Sequence, residues 1–115
     1  MDRIAYWEIP SLDVAKTRDF LAALFGWAMK PESDDYVMFS VEEGIGGGIH
    51  RVEKPPAHGL AIYVGIDDME AALEKVRTLG GEVVHGKTEI GGGYGYWADF
   101  RAPGSTPPIG LWSRT

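Results

Sequence analysis

The chain has 115 residues, 17 acidic against 11 basic, and a net charge of -6. That balance disfavours nucleic acid and anionic membranes and favours a cationic or neutral ligand. The absence of cysteine excludes disulfides, thiolate metal sites and thiol nucleophiles. The length and the 44% apolar content suit one globular domain with one core. The apolar runs fall short of the roughly 20 residues that a membrane helix needs. The opening MDRIAYW has no basic region followed by an apolar stretch, so cytoplasmic residence is expected.

Arg3 to Pro10 alternates and is rich in apolar and aromatic residues, which predicts a strand ended by Pro10. Ser11 and Asp13 offer caps for a helix over 14–25, with Val14, Phe20, Leu21 and Leu24 at core spacing and Gly26 closing it. Trp27 to Lys30 reads as a short strand and Pro31 to Asp35 as a turn. Strands are predicted over 36–42 and 45–52, the latter thinned by three glycines. Glu53 to Gly59 (EKPPAHG) is a linker with two prolines. A strand follows over 60–66. Asp67 or Asp68 then caps a helix over 69–79, with Met69, Leu73, Val76 and Leu79 facing inward and Gly80-Gly81 ending it. Glu82 to Val84 starts a strand that extends toward Thr88. GGGYG (91–95) is a loop, 96–101 a strand, APGSTPP (102–108) a rigid turn, and 109–113 the last strand.

The two halves repeat. Tyr6 to Trp27 matches Ala61 to Glu82 at one constant offset: Ile9 meets Val64, Asp13 meets Asp68, Leu24 meets Leu79, and Gly26 meets Gly81. One βαβββ unit has been duplicated. The expected organisation is module one over 1–52, the linker over 53–59, and module two over 60–115. The expected class is α+β.

AALFGW after the first helix, DDMEAALEKVRTLGGEVVHGKTEI, GYGYWADF and the IGLW ending give this order its most specific features. With them, the whole chain resembles the vicinal oxygen chelate superfamily, the group of glyoxalase I, bleomycin-resistance proteins and extradiol dioxygenases. The resemblance implies two tandem βαβββ modules whose curved mixed sheets surround a central cavity, with the first and fourth strands of each module side by side. It also implies four metal-ligand positions, one on each of those strands. They fall here on Tyr6, seven residues before Asp13; on Ala61, seven before Asp68; on Gly48 of the GGI; and on Gly110 of the IGL. Three of the four carry no ligating side chain, and a phenol is a poor lone ligand. No metal site and no cofactor are therefore expected.

Side chains two apart on a strand share a face. Tyr6 brings Glu8, Ala61 brings Tyr63, Gly48 brings His50, and Gly110 brings Trp112. With Trp97, these predict a ligand-binding set of Tyr6, Glu8, His50, Tyr63, Trp97 and Trp112: aromatic, with one carboxylate and one imidazole. Neighbouring first and fourth strands bring Glu8 toward His50 and Tyr63 toward Trp112. Met38 and Ser40 are further lining candidates. Glu8 and His50 are also the candidate acid–base pair, with an ordinary surface ion pair as the plain alternative. His58 sits in the linker. His85 lies on a strand of undecided face, and the three histidines lack zinc spacing. GIGGGI and GGGYG do not join a strand to a helix start, so neither reads as a phosphate loop.

Three functions fit these features. The leading one is a metal-independent protein that binds an aromatic or cationic organic molecule in the inter-sheet cavity, as the drug-binding branch of the resembled family does. The second is a lyase, isomerase or hydrolase on a small carbonyl or enolisable substrate, working through Glu8 and His50 or through a metal held by other ligands. The third is an interaction domain with a vestigial cavity. The expected partners are a small organic molecule and a second copy of the chain in a homodimer, with no nucleic acid and no membrane.

Overall fold

The computed structural model describes residues 2–56, 59–104 and 107–115, so His58 and parts of the linker and of the APGSTPP turn lie outside the described residues. The described chain folds as β1 (Arg3–Ser11), α1 (Val14–Phe25), β2 (Ala28–Ser33), β3 (Tyr36–Ser40), β4 (Gly47–Arg51), β5 (Ala61–Gly65), α2 (Met69–Thr78), β6 (Glu82–Glu89), β7 (Tyr96–Arg101) and β8 (Ile109–Ser113). The fold is α+β, with the βαβββ order present twice. No helix among the described residues is long and apolar enough to cross a membrane.

Two compact units emerge. The first, Tyr6–Ala61, carries strands in the order β2-β3-β4-β1. Its β1 and β4 run parallel, with Glu8 opposite Gly48 and Pro10 opposite His50. Its β3 pairs antiparallel with both β4 and β2. The core lies between this sheet and α1: Val14, Val37, Phe39 and Ile49 are buried, and Trp7, Ile9, Leu21, Trp27 and Met29 pack around them. Trp27 stacks on Phe39 at 4.9 Å, and Trp7 meets Phe39 edge-on at 5.3 Å. Asp13 caps α1 by accepting the Lys16 N–H at 3.1 Å. Gly26 ends the helix in the left-handed region (φ 73°), where only glycine is unstrained.

The second unit is Ile62–Thr115 together with residues 2–5; the Asp2 N–H donates to the Gly65 carbonyl at 2.7 Å. Its strands run β5-β8-β7-β6, with β5 and β8 parallel and the other pairs antiparallel. Ile66, Met69, Leu73, Ala98 and Leu111 form its core against α2. Asp68 caps α2 through the Ala71 N–H at 3.0 Å.

Several expectations change. Phe20 and Leu24 are 65% and 58% exposed, not in the core. The face of α1 that meets the sheet is the stripe of Val14, Thr17, Arg18, Leu21 and Ala22. Phe20 and Leu24 sit roughly a quarter turn or more off that stripe at 100° per residue. Leu79 is 69% exposed because α2 stops at Thr78. β1 continues past Pro10 to Ser11, still paired with β4. Pro31 is inside β2 rather than in a turn, and the turn is confined to Asp34 and Asp35. β2 lies outermost in its unit's strand order, and a register shift between Pro31 and Ser33 accommodates the residue that lacks an N–H.

Candidate functional site

In the first unit, the sheet face opposite α1 gathers Tyr6 and Glu8 from β1, Tyr36 and Met38 from β3, and Gly48 and His50 from β4. Strand alternation sends Trp7, Val37, Phe39 and Ile49 to the helix side and leaves these six on the other. The Tyr6 and Tyr36 hydroxyls are hydrogen-bonded to each other. Tyr36 donates its proton to Glu8 Oε2 at 2.7 Å. Glu8 Oε1 lies 3.9 Å from His50 Nδ1, an ion-pair distance too long for a hydrogen bond. That nitrogen is buried and has no hydrogen-bond partner among the described residues. Burial first, then the hydrogen bond with Tyr6 and the negative charge of Glu8, pushes the Tyr36 phenol far above its ordinary value. Tyr36 is thus a fixed proton donor.

Gly48 makes this arrangement possible. A Cβ there would overlap the Tyr36 hydroxyl and come 2.6 Å from the Tyr6 hydroxyl. The two phenols occupy the volume of the side chain that Gly48 lacks.

In the second unit, the face opposite α2 gathers Tyr63 from β5, Gly110 and Trp112 from β8, Trp97 and Asp99 from β7, and His85 from β6. Tyr63 lies opposite Gly110, and its ring covers it: a Cβ at Gly110 would approach Tyr63 Cε2 to 2.6 Å. Trp112 lies opposite Trp97 and opposite Gly65, and its indole N–H donates to the Tyr94 carbonyl at 2.7 Å. His85 is 5.2 Å from Trp97, ring to ring, and its Nδ1 is 2.8 Å from Asp99 Oδ1.

The predicted residues therefore divide. Tyr6, Glu8 and His50 form one cluster; Tyr63, Trp97 and Trp112 line one face of the other unit. Met38 shares the Tyr6 face as the register partner of Gly48, whereas Ser40, at the end of β3, is exposed. Sequence reasoning misses Tyr36 and Asp99. Both stand two residues from a residue that it does single out, Met38 and Trp97, so the strand period alone would have placed them. A shallow concavity of about 400 Å³ at the start of α1, lined by Pro10, Leu12, Lys16, Val52 and Pro55, includes none of these side chains.

The four positions at which the resemblance places metal ligands do not fit a divalent cation. They offer one phenol, already hydrogen-bonded, and at Gly48 and Gly110 aromatic groups fill the space of a ligating side chain. Among the described residues, no three His, Asp or Glu side chains converge.

The sequence profile of the Glyoxalase/Bleomycin resistance protein/Dioxygenase superfamily matches residues 3–105. The chain belongs to that superfamily. Among curated members, anthracycline biosynthesis protein DnrV of Streptomyces peucetius is 30% identical, over 70% of this chain and 36% of its own length. DauV of Streptomyces sp. strain C5, also an anthracycline biosynthesis protein, is 27% identical over 96% of this chain and 46% of its own. The chain thus spans less than half the length of these two relatives. Methylmalonyl-CoA epimerase from Mycobacterium tuberculosis superposes with a TM-score of 0.77 at 12% identity, covering 96% of this chain and 87% of that one. The Mn(II)-bound glyoxalase from Novosphingobium aromaticivorans gives 0.73 at 17%, covering 98% and 39%. At such identities the structural likeness speaks for the superfamily fold and no further.

Proposed function

We propose that this superfamily member binds a planar aromatic molecule carrying a cationic group, and does so without the superfamily's metal. The observation that carries the reading is the replacement of a ligating side chain at position 48 by the Tyr6–Tyr36–Glu8 hydrogen-bonded cluster. Glu8, 19% exposed and held by Tyr36, is a fixed anion suited to an ammonium group. In the second unit, taken by itself, Tyr63, Trp97 and Trp112 offer flat apolar surface suited to stacked rings. Two relatives are named for anthracycline biosynthesis, and an anthracycline combines fused planar rings with an amino sugar.

The test is a titration of metal-free protein with an anthracycline, followed by tryptophan quenching and calorimetry. Saturable one-to-one binding is expected, weakened about tenfold in Glu8→Gln, or about 1.4 kcal/mol. Zn, Ni, Mn, Fe and Co are expected to leave the melting temperature unchanged. A metal present at 100 times its dissociation constant would instead add about 2.7 kcal/mol, and that stabilisation would overturn the metal-free part of the reading. The enzymatic alternative assigns acid–base work to Glu8 and His50, favoured by the buried, unpartnered His50 Nδ1 at 3.9 Å from Glu8. Turnover that disappears in Glu8→Gln while binding persists would establish it.

A further inference from the structure

His85 and Asp99 take no part in the cluster around Glu8, yet they carry the geometry of a supported base. Asp99 Oδ1 accepts twice from the same residue: from the His85 backbone N–H at 2.8 Å and from ring Nδ1 at 2.8 Å. The β6 backbone shifts register on both sides of His85, between Val83 and His85 and between His85 and Thr88. Those bulges aim residue 85 at the carboxylate of the neighbouring strand. An ionised carboxylate only accepts, so in the neutral ring Nδ1 carries the proton and Nε2 the lone pair. Asp99 is 17% exposed and His85 59%, so the carboxylate is sheltered behind a ring that reaches solvent. Trp97 flanks that ring at 5.2 Å, with Trp112 next to it across the ladder. Asp99 lies opposite Gly110, which Tyr63 covers. The neighbouring cation, Lys87, is drawn away to Glu70 at 2.7 Å and sits over Tyr96, a residue of the α2 side. Asp99 is thus a charged group in direct contact with His85.

From this geometry we infer that His85 is a proton acceptor, positioned by Asp99, for an acidic hydroxyl of an aromatic ligand seated on Trp97 and Trp112. The inference rests on the aromatic-ligand reading above and adds a reaction to it. The ligand O–H bond breaks, its electron pair stays on oxygen as a phenolate or enolate, and the proton moves to Nε2. Asp99 steadies the resulting imidazolium. Nothing is oxidised or reduced, and no co-reactant is needed. The ligand class is a hydroxylated planar aromatic, such as a hydroxyquinone, whose hydroxyl is acidic enough to yield its proton to imidazole. With a net charge of -6, the chain as a whole opposes an anion. Enhanced ionisation of a bound phenol therefore points to a local acceptor rather than to the general field.

Two measurements test this. In ligand-free protein, long-range proton–nitrogen NMR of His85 should show the Nδ1–H tautomer, and Asp99→Asn should shift it toward Nε2–H. An Nε2–H tautomer in the unmodified protein would overturn the proposal. Second, the hydroxyquinone dye alizarin changes colour on ionisation, so absorbance reports its ionised fraction while tryptophan quenching reports binding. The dye bound to the unmodified protein should ionise about tenfold more readily than the dye bound to His85→Gln, one unit of apparent pKa. Equal ionisation in both bound forms overturns the proton transfer and leaves the binding reading standing. Failure of alizarin to bind at all, with an anthracycline also failing, overturns both.

Discussion

The two units share a backbone plan and differ in chemistry. The strand register makes their positions equivalent: Tyr36 opposite His50 in one corresponds to Trp97 opposite Trp112 in the other, and Met38 opposite Gly48 to Asp99 opposite Gly110. Glycine is retained at both fourth-strand positions and is overlaid in both cases by a tyrosine ring or hydroxyl. Around that common feature the first unit is hydrogen-bonded and anionic, through Tyr6, Tyr36, Glu8 and His50. The second is aromatic, with a histidine at its edge held by a carboxylate. Duplication fixes where side chains stand, and substitution then decides what each half does. The fold thus constrains position and leaves reaction open.

The sharpest way to break this comparison is to return a ligating side chain to one half. Gly48→Glu would drive a carboxylate into two phenols and toward Glu8. A loss of about 3 kcal/mol in urea unfolding is expected from overpacking and like charge. Unchanged stability would mean that the phenols move aside at little cost. Tyr36→Phe comes next. It removes one donor to Glu8 and one partner of Tyr6 and should cost about 1–2 kcal/mol in the same assay. A neutral result would show the cluster to be structurally idle.

Alkaline titration gives a smaller effect of defined sign. The Tyr36 phenol is raised in the folded state, so its contribution to stability is complete below the unfolded tyrosine value of about 10 and falls as pH rises above it. The loss should stay below about 1 kcal/mol per pH unit because the ring is only partly shielded from solvent. It should be absent from Tyr36→Phe, so the difference between the two proteins isolates it. Identical alkaline limbs for the two proteins would contradict the shift. Smallest of all, His85→Gln should leave stability within about 0.5 kcal/mol, since the imidazole is mostly exposed. A larger loss in thermal unfolding would make His85 a structural residue and would blur the contrast between the halves.

Much of this was legible in the residues. Asp13 and Asp68 announce the helix starts, and Gly26 announces one helix end; the caps sit there in the structure. The repeat gives the βαβββ order, and alternation along β1 and β4 puts Glu8 and His50 on one face, 3.9 Å apart. What escaped has physical causes. Phe20 and Leu24 are apolar at helical spacing, but a pattern of period 3.6 admits two adjacent stripes, and only packing against the sheet chooses between them. The end of α2 differs by one residue because Leu79 fits the core period although the backbone leaves the helix at Thr78. Tyr36 and Asp99 were reachable by strand period, but their roles depend on hydrogen bonds across strands, which register decides and composition does not. The irregularity after His85 has one signal in GEVVHGKTE, Gly86, since an isolated glycine inside a strand often marks a bulge, but the residue it re-aims is set by the register.

The glycine at position 48 also bears on what it would take to engineer a metal ligand there. A single substitution there meets the Tyr6 and Tyr36 hydroxyls before it meets any ion. Clearing that space requires Tyr36 to shrink, which removes its hydrogen bond to Glu8, and Tyr6 to become a ligand in its own right. Each change alone lowers stability without supplying coordination, because one new donor holds a cation poorly. Building coordination at this position therefore takes several substitutions made together, because no one of them supplies a second and third donor.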